Sequence, residues 1–204
     1  MKLHWSPRSP FVRKVMITAH EAGVAARIDC VRSVAASTRP HPELMRDNPL
    51  SKIPTLVCDD GVVLYDSRVI CEYLDTLHDG PKLFPAEPRS RFAALRRQAL
   101  GDGILDFLIL WRGEGERANK SEPHLASFAA RRAATLAALE REAGELAAAP
   151  FSIGHIAIGC ALSYLDFRFA SQPWRDAHSR LAGWHTSFCA RPSAKATEPV
   201  DDSI

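Results

Sequence analysis

The sequence lacks the paired cysteines that a disulfide framework or a zinc knuckle requires. Its five cysteines are an odd number, and no Cys-x-x-Cys pair occurs among them. The eight histidines are scattered, without a second histidine or carboxylate at the spacing of metal ligands. We therefore expect reduced thiols and no bound metal.

A strong net charge and a long apolar run are also missing. Lys+Arg 26 against Asp+Glu 24 gives a formal net charge of +2, which provides no basic face for nucleic acid or an anionic membrane. The charge-free stretches are shorter than the ~20 residues of a membrane span, and the start lacks the basic-then-apolar pattern of a signal peptide. These absences predict a cytoplasmic protein with neither nucleic acid nor membrane as a partner.

The domain organisation follows from one break in the pattern. A chain of 204 residues that is 46% hydrophobic can bury a sizeable core. The Gly- and Pro-containing stretch 78–85 is the one convincing boundary. Before it, strand and helix patterns follow the order βαβαββα, which is the thioredoxin-like order, and after it every long segment is helical. The prediction is an α/β domain over 1–78 and an all-α domain over 86–204.

A β-hairpin is the strongest local signal in the first domain. Apolar runs at 55–58 and 62–65 flank an Asp-Asp-Gly turn, and Pro54 stands at the mouth of the first strand. A cis peptide bond before this proline would turn the backbone N–H and C=O of Ile53 outward. An extended peptide ligand could pair with those two groups.

Two helix starts in the same domain suit an anion. Asp66 or Ser67 caps the helix after the hairpin, and Ser9 with Pro10 fits the N-cap and first position of the helix near the amino terminus. The free N–H groups at such a start hold a carboxylate or phosphate, and a hydroxyl there lowers the pKa of a nearby thiol. Capping alone is the alternative role for these side chains, and Ser6 is a rival to Ser9.

The proline-led hairpin, the acidic-Ser helix start and the Ser-Pro helix start together resemble the glutathione-binding half of the cytosolic glutathione transferase family. The run Ser9–Val15 is similar to the tau class in particular, and in the tau and zeta classes the active serine stands before such a helix. The tail 191–197 resembles the ending common in bacterial members. The resemblance covers nearly the whole chain and implies that Ser9 stabilises the thiolate of glutathione.

The resemblance also implies a role for the remaining site residues. The backbone of Ile53, beside Pro54, would pair with the cysteinyl part of glutathione. Ser67 and the helix start would take the γ-glutamyl carboxylate, and Asp66 would face the ammonium group. Lys52 would reach the glycyl carboxylate, with a solvated Lys52 as the alternative.

The helical domain offers fewer signals for a function. Phe107 and Trp111 on its first long helix could line a pocket for the electrophile, although a stripe of core residues fits the same spacing. The apolar helix that begins near Ser152 carries His155 where the family usually has the aspartate of a capping box. This exchange puts in doubt the hydrogen bond that the aspartate side chain accepts from the backbone N–H of the N-cap residue. We expect the helix dipole to lower the pKa of His155.

The resemblance implies a homodimeric glutathione transferase that conjugates glutathione to small apolar electrophiles bound between its domains. Glutathione is the co-substrate, and no further cofactor is implied. One alternative is a non-catalytic protein of the same fold that acts as a binding or regulatory partner. Another is glutathione-dependent peroxidase or thioether chemistry at the same site. The pattern does not identify the electrophile.

Overall fold

The computed structural model describes residues 1–34 and 38–202. The chain divides into two compact units. Met1–Arg91 forms the first unit with the segment that begins at Pro192, and Phe92–Arg191 forms the second. In chain order the elements are β1 (Lys2–Trp5), α1 (Pro10–Glu21), a 3-10 turn (Ala25–Arg27), β2 (Asp29–Arg32), α2 (Pro42–Asp47), β3 (Thr55–Val57), β4 (Val63–Leu64), α3 (Ser67–Thr76), α4 (Pro88–Gly115), α5 (Glu122–Ala148), α6 (Ile153–Arg168), α7 (Ser179–Cys189) and α8 (Pro192–Lys195).

The first unit is built on a four-stranded mixed sheet in the order β2-β1-β3-β4. β1 and β2 are parallel, and β3 runs antiparallel to both β1 and β4. Helices α1 and α3 pack together, which confirms the predicted thioredoxin-like order. The core of this unit consists of apolar side chains with 0% exposure, among them Leu3, Val15, Ile17, Leu56, Ile70 and Leu74.

The second unit is all helical, as predicted, and α6 is its most deeply buried element. Every residue of α6 from Ile153 to Leu165 is buried, because the helix is apolar on all sides. Helix α4 approaches α6 closely at Gly101, where a Cβ atom would lie 2.5 Å from the carbonyl carbon of Ala157. A side chain at this position would force the two backbones apart.

Helix α7 begins at Ser179, whereas the helical spacing of the sequence predicts a helix over 175–189. The indole Nε1–H of Trp174 donates to Asp166 Oδ1 at 2.9 Å, and the Arg175 guanidinium pairs with Asp166 Oδ2 at 2.5 Å. The His178 N–H donates to the Arg175 carbonyl at 3.0 Å. These bonds hold residues 174–178 in a turn ahead of the helix.

His155 forms the reciprocal hydrogen bond that the sequence had put in doubt. The Ser152 N–H donates to His155 Nδ1 at 3.1 Å, and His155 Nε2 lies 2.9 Å from the Leu146 carbonyl oxygen. A carbonyl only accepts, so Nε2 carries the proton and Nδ1 is the acceptor. The neutral imidazole thus replaces the aspartate of the capping box.

Burial is the main cause that lowers the pKa of His155. The side chain loses most of its contact with water, the Arg97 and Arg191 guanidinium groups disfavour the cation further, and the bond to Leu146 acts in the opposite direction. A histidine with a lowered folded pKa binds more protons when unfolded. Its contribution to stability is therefore present above the unfolded pKa of about 6.5 and declines as the pH falls below it.

We expect His155→Asn to flatten the dependence of stability on pH, because asparagine keeps an acceptor for the Ser152 N–H but does not titrate. The measurement is the free energy of unfolding by urea at about pH 7.5 and about pH 5.5. His124→Asn is the control, since His124 is exposed at the start of α5. Equal losses of stability in the wild type and His155→Asn on acidification would contradict this account.

Candidate functional site

Three chain segments meet at one edge of the sheet, the one where strands β1 and β4 end and strand β3 begins. β3 is antiparallel to its two neighbours, with Thr55 opposite His4 on β1 and Leu56 opposite Leu64 on β4. The residues that follow β1, precede β3 and follow β4 therefore lie at the same edge. This topology brings together most of the residues that the sequence singled out, namely Ser9, Lys52, Ile53, Pro54, Asp66 and Ser67.

Ser9 is the N-cap of α1. Its backbone is extended, with φ −84 and ψ 118, and its Oγ accepts a hydrogen bond from the Val12 N–H at 3.3 Å. This bond uses a lone pair, so the half-buried hydroxyl keeps its proton for donation. Ser6 is only 6% exposed, and its Oγ accepts from the Arg8 N–H at 3.4 Å in the preceding turn. Of the two serines, Ser9 is the one at the helix start.

The peptide bond between Ile53 and Pro54 is cis. Pro54 is buried, whereas Ile53 is half-buried. The ladder between β1 and β3 begins with the pair His4 and Thr55, so Ile53 lies just outside it. The main chain at this position is placed beside the sheet edge rather than within the sheet.

Asp66 is the N-cap of α3, and Ser67 is the first residue of that helix. The Oδ1 atom of Asp66 accepts from the Arg68 N–H at 2.9 Å, while the carboxylate itself is exposed. Ser67 is 3% exposed, and the peptide bond between Tyr65 and Asp66 is cis. A carboxylate and a helix N-terminus thus stand side by side, which suits a ligand that carries an ammonium and a carboxylate.

Comparison with known proteins identifies the family. The family model described as "Glutathione S-transferase, N-terminal domain" matches residues 8–77, and the one described as "Glutathione S-transferase, C-terminal domain" matches residues 122–187. The "Uncharacterized GST-like protein YibF" of Escherichia coli (strain K12) is 31% identical over 203 residues, which cover 98% of each chain. The chain belongs to the glutathione S-transferase family.

Solved structures of family members are similar over almost their whole length. A glutathione transferase family member from Pseudomonas fluorescens Pf-5, with bound glutathione, is 42% identical with a TM-score of 0.93, and the match covers 98% of each chain. A glutathione S-transferase from Methylobacillus flagellatus KT, with glutathione bound, is 33% identical with a TM-score of 0.90 and covers 98% of this chain and 99% of that one. The glutathione transferase fold of this chain is thereby confirmed.

Two polar residues at this edge were missed by the sequence interpretation of the family motif. Asn48 and Thr55 are buried, and both bond to the carbonyl oxygen of Lys52. The Lys52 side chain is exposed at the same turn. The signal available in the sequence was a threonine at the first position of an otherwise apolar strand, which needs a polar partner when it is buried.

Phe107 and Trp111 lie in the helical unit of the transferase fold. Phe107 is 6% exposed, and the Trp111 ring packs on Phe169 and Phe128, with centroid separations of 5.3 Å and 6.1 Å. These contacts give both side chains a role in packing. Their place in an electrophile pocket stays a prediction.

Within residues 1–34 and 38–202, no group of three or more His, Cys, Asp or Glu side chains is arranged to hold a metal ion. In the same ranges, none of the helices combines the length and apolar character needed to cross a membrane.

Proposed function

We propose that this protein is a glutathione transferase that conjugates the thiolate of glutathione to small apolar electrophiles. The observation that carries the proposal is the convergence of three features at one sheet edge: the Ser9 N-cap, the Ile53-Pro54 pair just ahead of β3, and the Asp66-Ser67 helix start. The 42% identical relative from Pseudomonas fluorescens, with bound glutathione, supports the choice of ligand. We place the glutathione-binding domain at 1–78 and the helical domain at 86–204.

Each part of glutathione has a complementary group at this edge. The backbone of Ile53 pairs with the cysteinyl peptide group, and Ser67 with the N-terminus of α3 holds the γ-glutamyl carboxylate. Asp66 binds the γ-glutamyl ammonium, and Lys52 binds the glycyl carboxylate. The cysteinyl sulfur is then placed toward the start of α1, where the positive end of the helix dipole favours an anion.

Ser9 donates its hydroxyl proton to the thiolate and thereby lowers the pKa of the glutathione thiol. The thiolate attacks an electrophilic carbon and forms a C–S bond with its own electron pair. In a substitution the leaving group departs with the electrons of the broken bond, and in an addition the product takes a proton from water. The residues of this site act by binding and by charge stabilisation, since glutathione is itself the nucleophile.

The first test is retention on immobilised glutathione, followed by assays with glutathione and a panel of apolar electrophiles and organic peroxides. We expect retention and turnover of at least one electrophile. Retention without turnover of any member of the panel would favour a non-catalytic binding protein, and turnover confined to peroxides would favour peroxidase chemistry. A folded protein with no affinity for glutathione would overturn the proposal.

We further propose a homodimer and a cytoplasmic location. In the family, the hairpin and α3 of one subunit pack against the first two long helices of the other. Large apolar side chains are exposed on the corresponding elements of this chain, with 51% exposure at Val62, 47% at Val69, 70% at Phe92 and 62% at Leu110. We expect sedimentation equilibrium at micromolar concentration to give twice the chain mass of 22.5 kDa. A mass equal to one chain would contradict the dimer.

A further inference from the structure

The Asn48 side chain makes hydrogen bonds across the loop that carries Lys52 and Ile53. It follows α2 directly and is 1% exposed. Its side-chain amide donates to the Lys52 carbonyl oxygen at 3.2 Å and to Thr55 Oγ1 at 2.9 Å, and its Oδ1 accepts from the Leu50 N–H at 3.0 Å. One buried side chain therefore bonds to the beginning of the loop, to its middle and to the first residue of β3.

Other polar contacts complete this arrangement. The Thr55 hydroxyl, which is 0% exposed, donates to the Lys52 carbonyl oxygen at 2.8 Å. Ser51 has φ 52, in the left-handed region that a residue with a side chain seldom adopts, and its N–H donates to the Asn48 carbonyl at 2.9 Å. Leu50 is 61% exposed, so it adds little apolar packing. Hydrogen bonds centred on Asn48 hold this loop in place.

The two bonds to the Lys52 carbonyl also determine where the N–H of Ile53 points. The Lys52 C=O and the Ile53 N–H belong to the same planar peptide group, in which they point in opposite directions. Asn48 and Thr55 draw the carbonyl oxygen inward, toward their buried side chains. The N–H at the other end of the group is consequently directed away from them.

We infer that Asn48 is a positioning residue for glutathione, acting through the Lys52–Ile53 peptide group rather than by contact with the ligand. This inference rests on the proposed function, in which the backbone of Ile53 pairs with the cysteinyl part of glutathione. Without the Asn48 donor the peptide group is less firmly held. Glutathione must then order this group on binding, which lowers the affinity. The sulfur chemistry at Ser9 is separate from this step.

The informative substitution is Asn48→Asp, which keeps the shape of the side chain and an acceptor for the Leu50 N–H but has no amide to donate to Lys52 or Thr55. We expect the KM and the dissociation constant for glutathione to rise roughly tenfold. The value of kcat at saturating glutathione and the KM for the electrophile should stay near the wild-type values. A general loss of structure would lower kcat as well.

Two further variants separate positioning from stability. Thr55→Val removes the Thr55 bond to the Lys52 carbonyl and the acceptor of one Asn48 N–H, but Asn48 keeps its bonds to the Lys52 carbonyl and the Leu50 N–H. The rise in the KM for glutathione should therefore be smaller. Asp47→Asn is the matched control on the neighbouring residue, because the Asp47 carboxylate pairs with Lys2 at 2.7 Å and His4 at 2.8 Å on β1 instead of with the loop. Its KM for glutathione should be unchanged.

A second readout does not depend on glutathione. Lys52 is exposed, so trypsin cleavage after it reports how readily the loop leaves its position. We expect faster cleavage in Asn48→Asp than in the wild type and Asp47→Asn. A variant with wild-type glutathione affinity or a wild-type cleavage rate would overturn the inference. If the wild type binds no glutathione, the proposed function fails, and the cleavage rate alone decides whether Asn48 holds the loop.

Discussion

Ser9→Ala should lower the rate of conjugation at neutral pH by roughly ten- to a hundredfold while the affinity for glutathione changes little. The substitution removes the hydrogen bond that we propose between Ser9 and the thiolate, and a hydrogen bond to a charged group is worth about 1.5–3 kcal/mol. The proposed contacts of Ile53 and Ser67 with the rest of glutathione are left in place. The pKa of the bound thiol should rise, which the ultraviolet absorbance of the thiolate measures as a function of pH.

Ser6→Ala is the control for this substitution, because Ser6 lies in the same connection but is buried in the turn ahead of the helix. The loss of the Ser9 cap also costs about 1 kcal/mol of stability, so the folding of Ser9→Ala must be verified before its rate is interpreted. A folded Ser9→Ala protein with the full rate and thiolate absorbance would remove Ser9 from the mechanism. An equally large loss in Ser6→Ala would transfer the role to Ser6.

Asp66→Asn should weaken the binding of glutathione roughly tenfold without loss of stability. Asparagine is as good an N-cap as aspartate, so α3 keeps the bond that the Arg68 N–H now makes to Oδ1 at 2.9 Å. The substitution removes only the negative charge that we assign to the γ-glutamyl ammonium. Titration calorimetry with glutathione measures the affinity, and thermal unfolding without glutathione checks the fold.

Asp60→Asn provides the comparison for Asp66→Asn. Asp60 accepts from the Val62 N–H at 3.0 Å in the hairpin turn, which lies at the opposite edge of the sheet from Ile53. Its substitution should leave the affinity unchanged. An effect of the same size in both variants would indicate a general influence of charge rather than a contact at Asp66, and an unaltered affinity in Asp66→Asn would refute the assigned role.

The first unit could be predicted in detail because its signals are local. Pro54 at the mouth of an apolar run, the Asp-Asp-Gly turn and the caps at Ser9 and Asp66 each act within a few residues of the backbone they shape. The order of strands and helices then places these segments at one edge. The position of Asn48 within this site was not predictable in the same way, because its bonds to Lys52 and Thr55 depend on the path of the loop between them, which includes the left-handed residue Ser51.

The helical unit was predicted less well, because its details depend on tertiary contacts. An imidazole was expected to weaken the capping box, yet His155 forms the bond since Leu146 fixes the proton on the other ring nitrogen. Helix α7 begins later than the helical spacing predicts, because Asp166 on α6 accepts a hydrogen bond from Trp174 and pairs with Arg175 ahead of the helix. Such partners lie far enough away in the sequence that helical spacing carries no information about them.

We expect the protein to bind glutathione as its thiolate at the start of α1. Calorimetric titration at neutral pH, in two buffers with different heats of ionisation, counts the protons released when glutathione binds. Binding of glutathione should release protons, and S-methylglutathione, which has no ionisable thiol, should bind without releasing them. Binding of glutathione without proton release, or no binding at all by the folded protein, would contradict it.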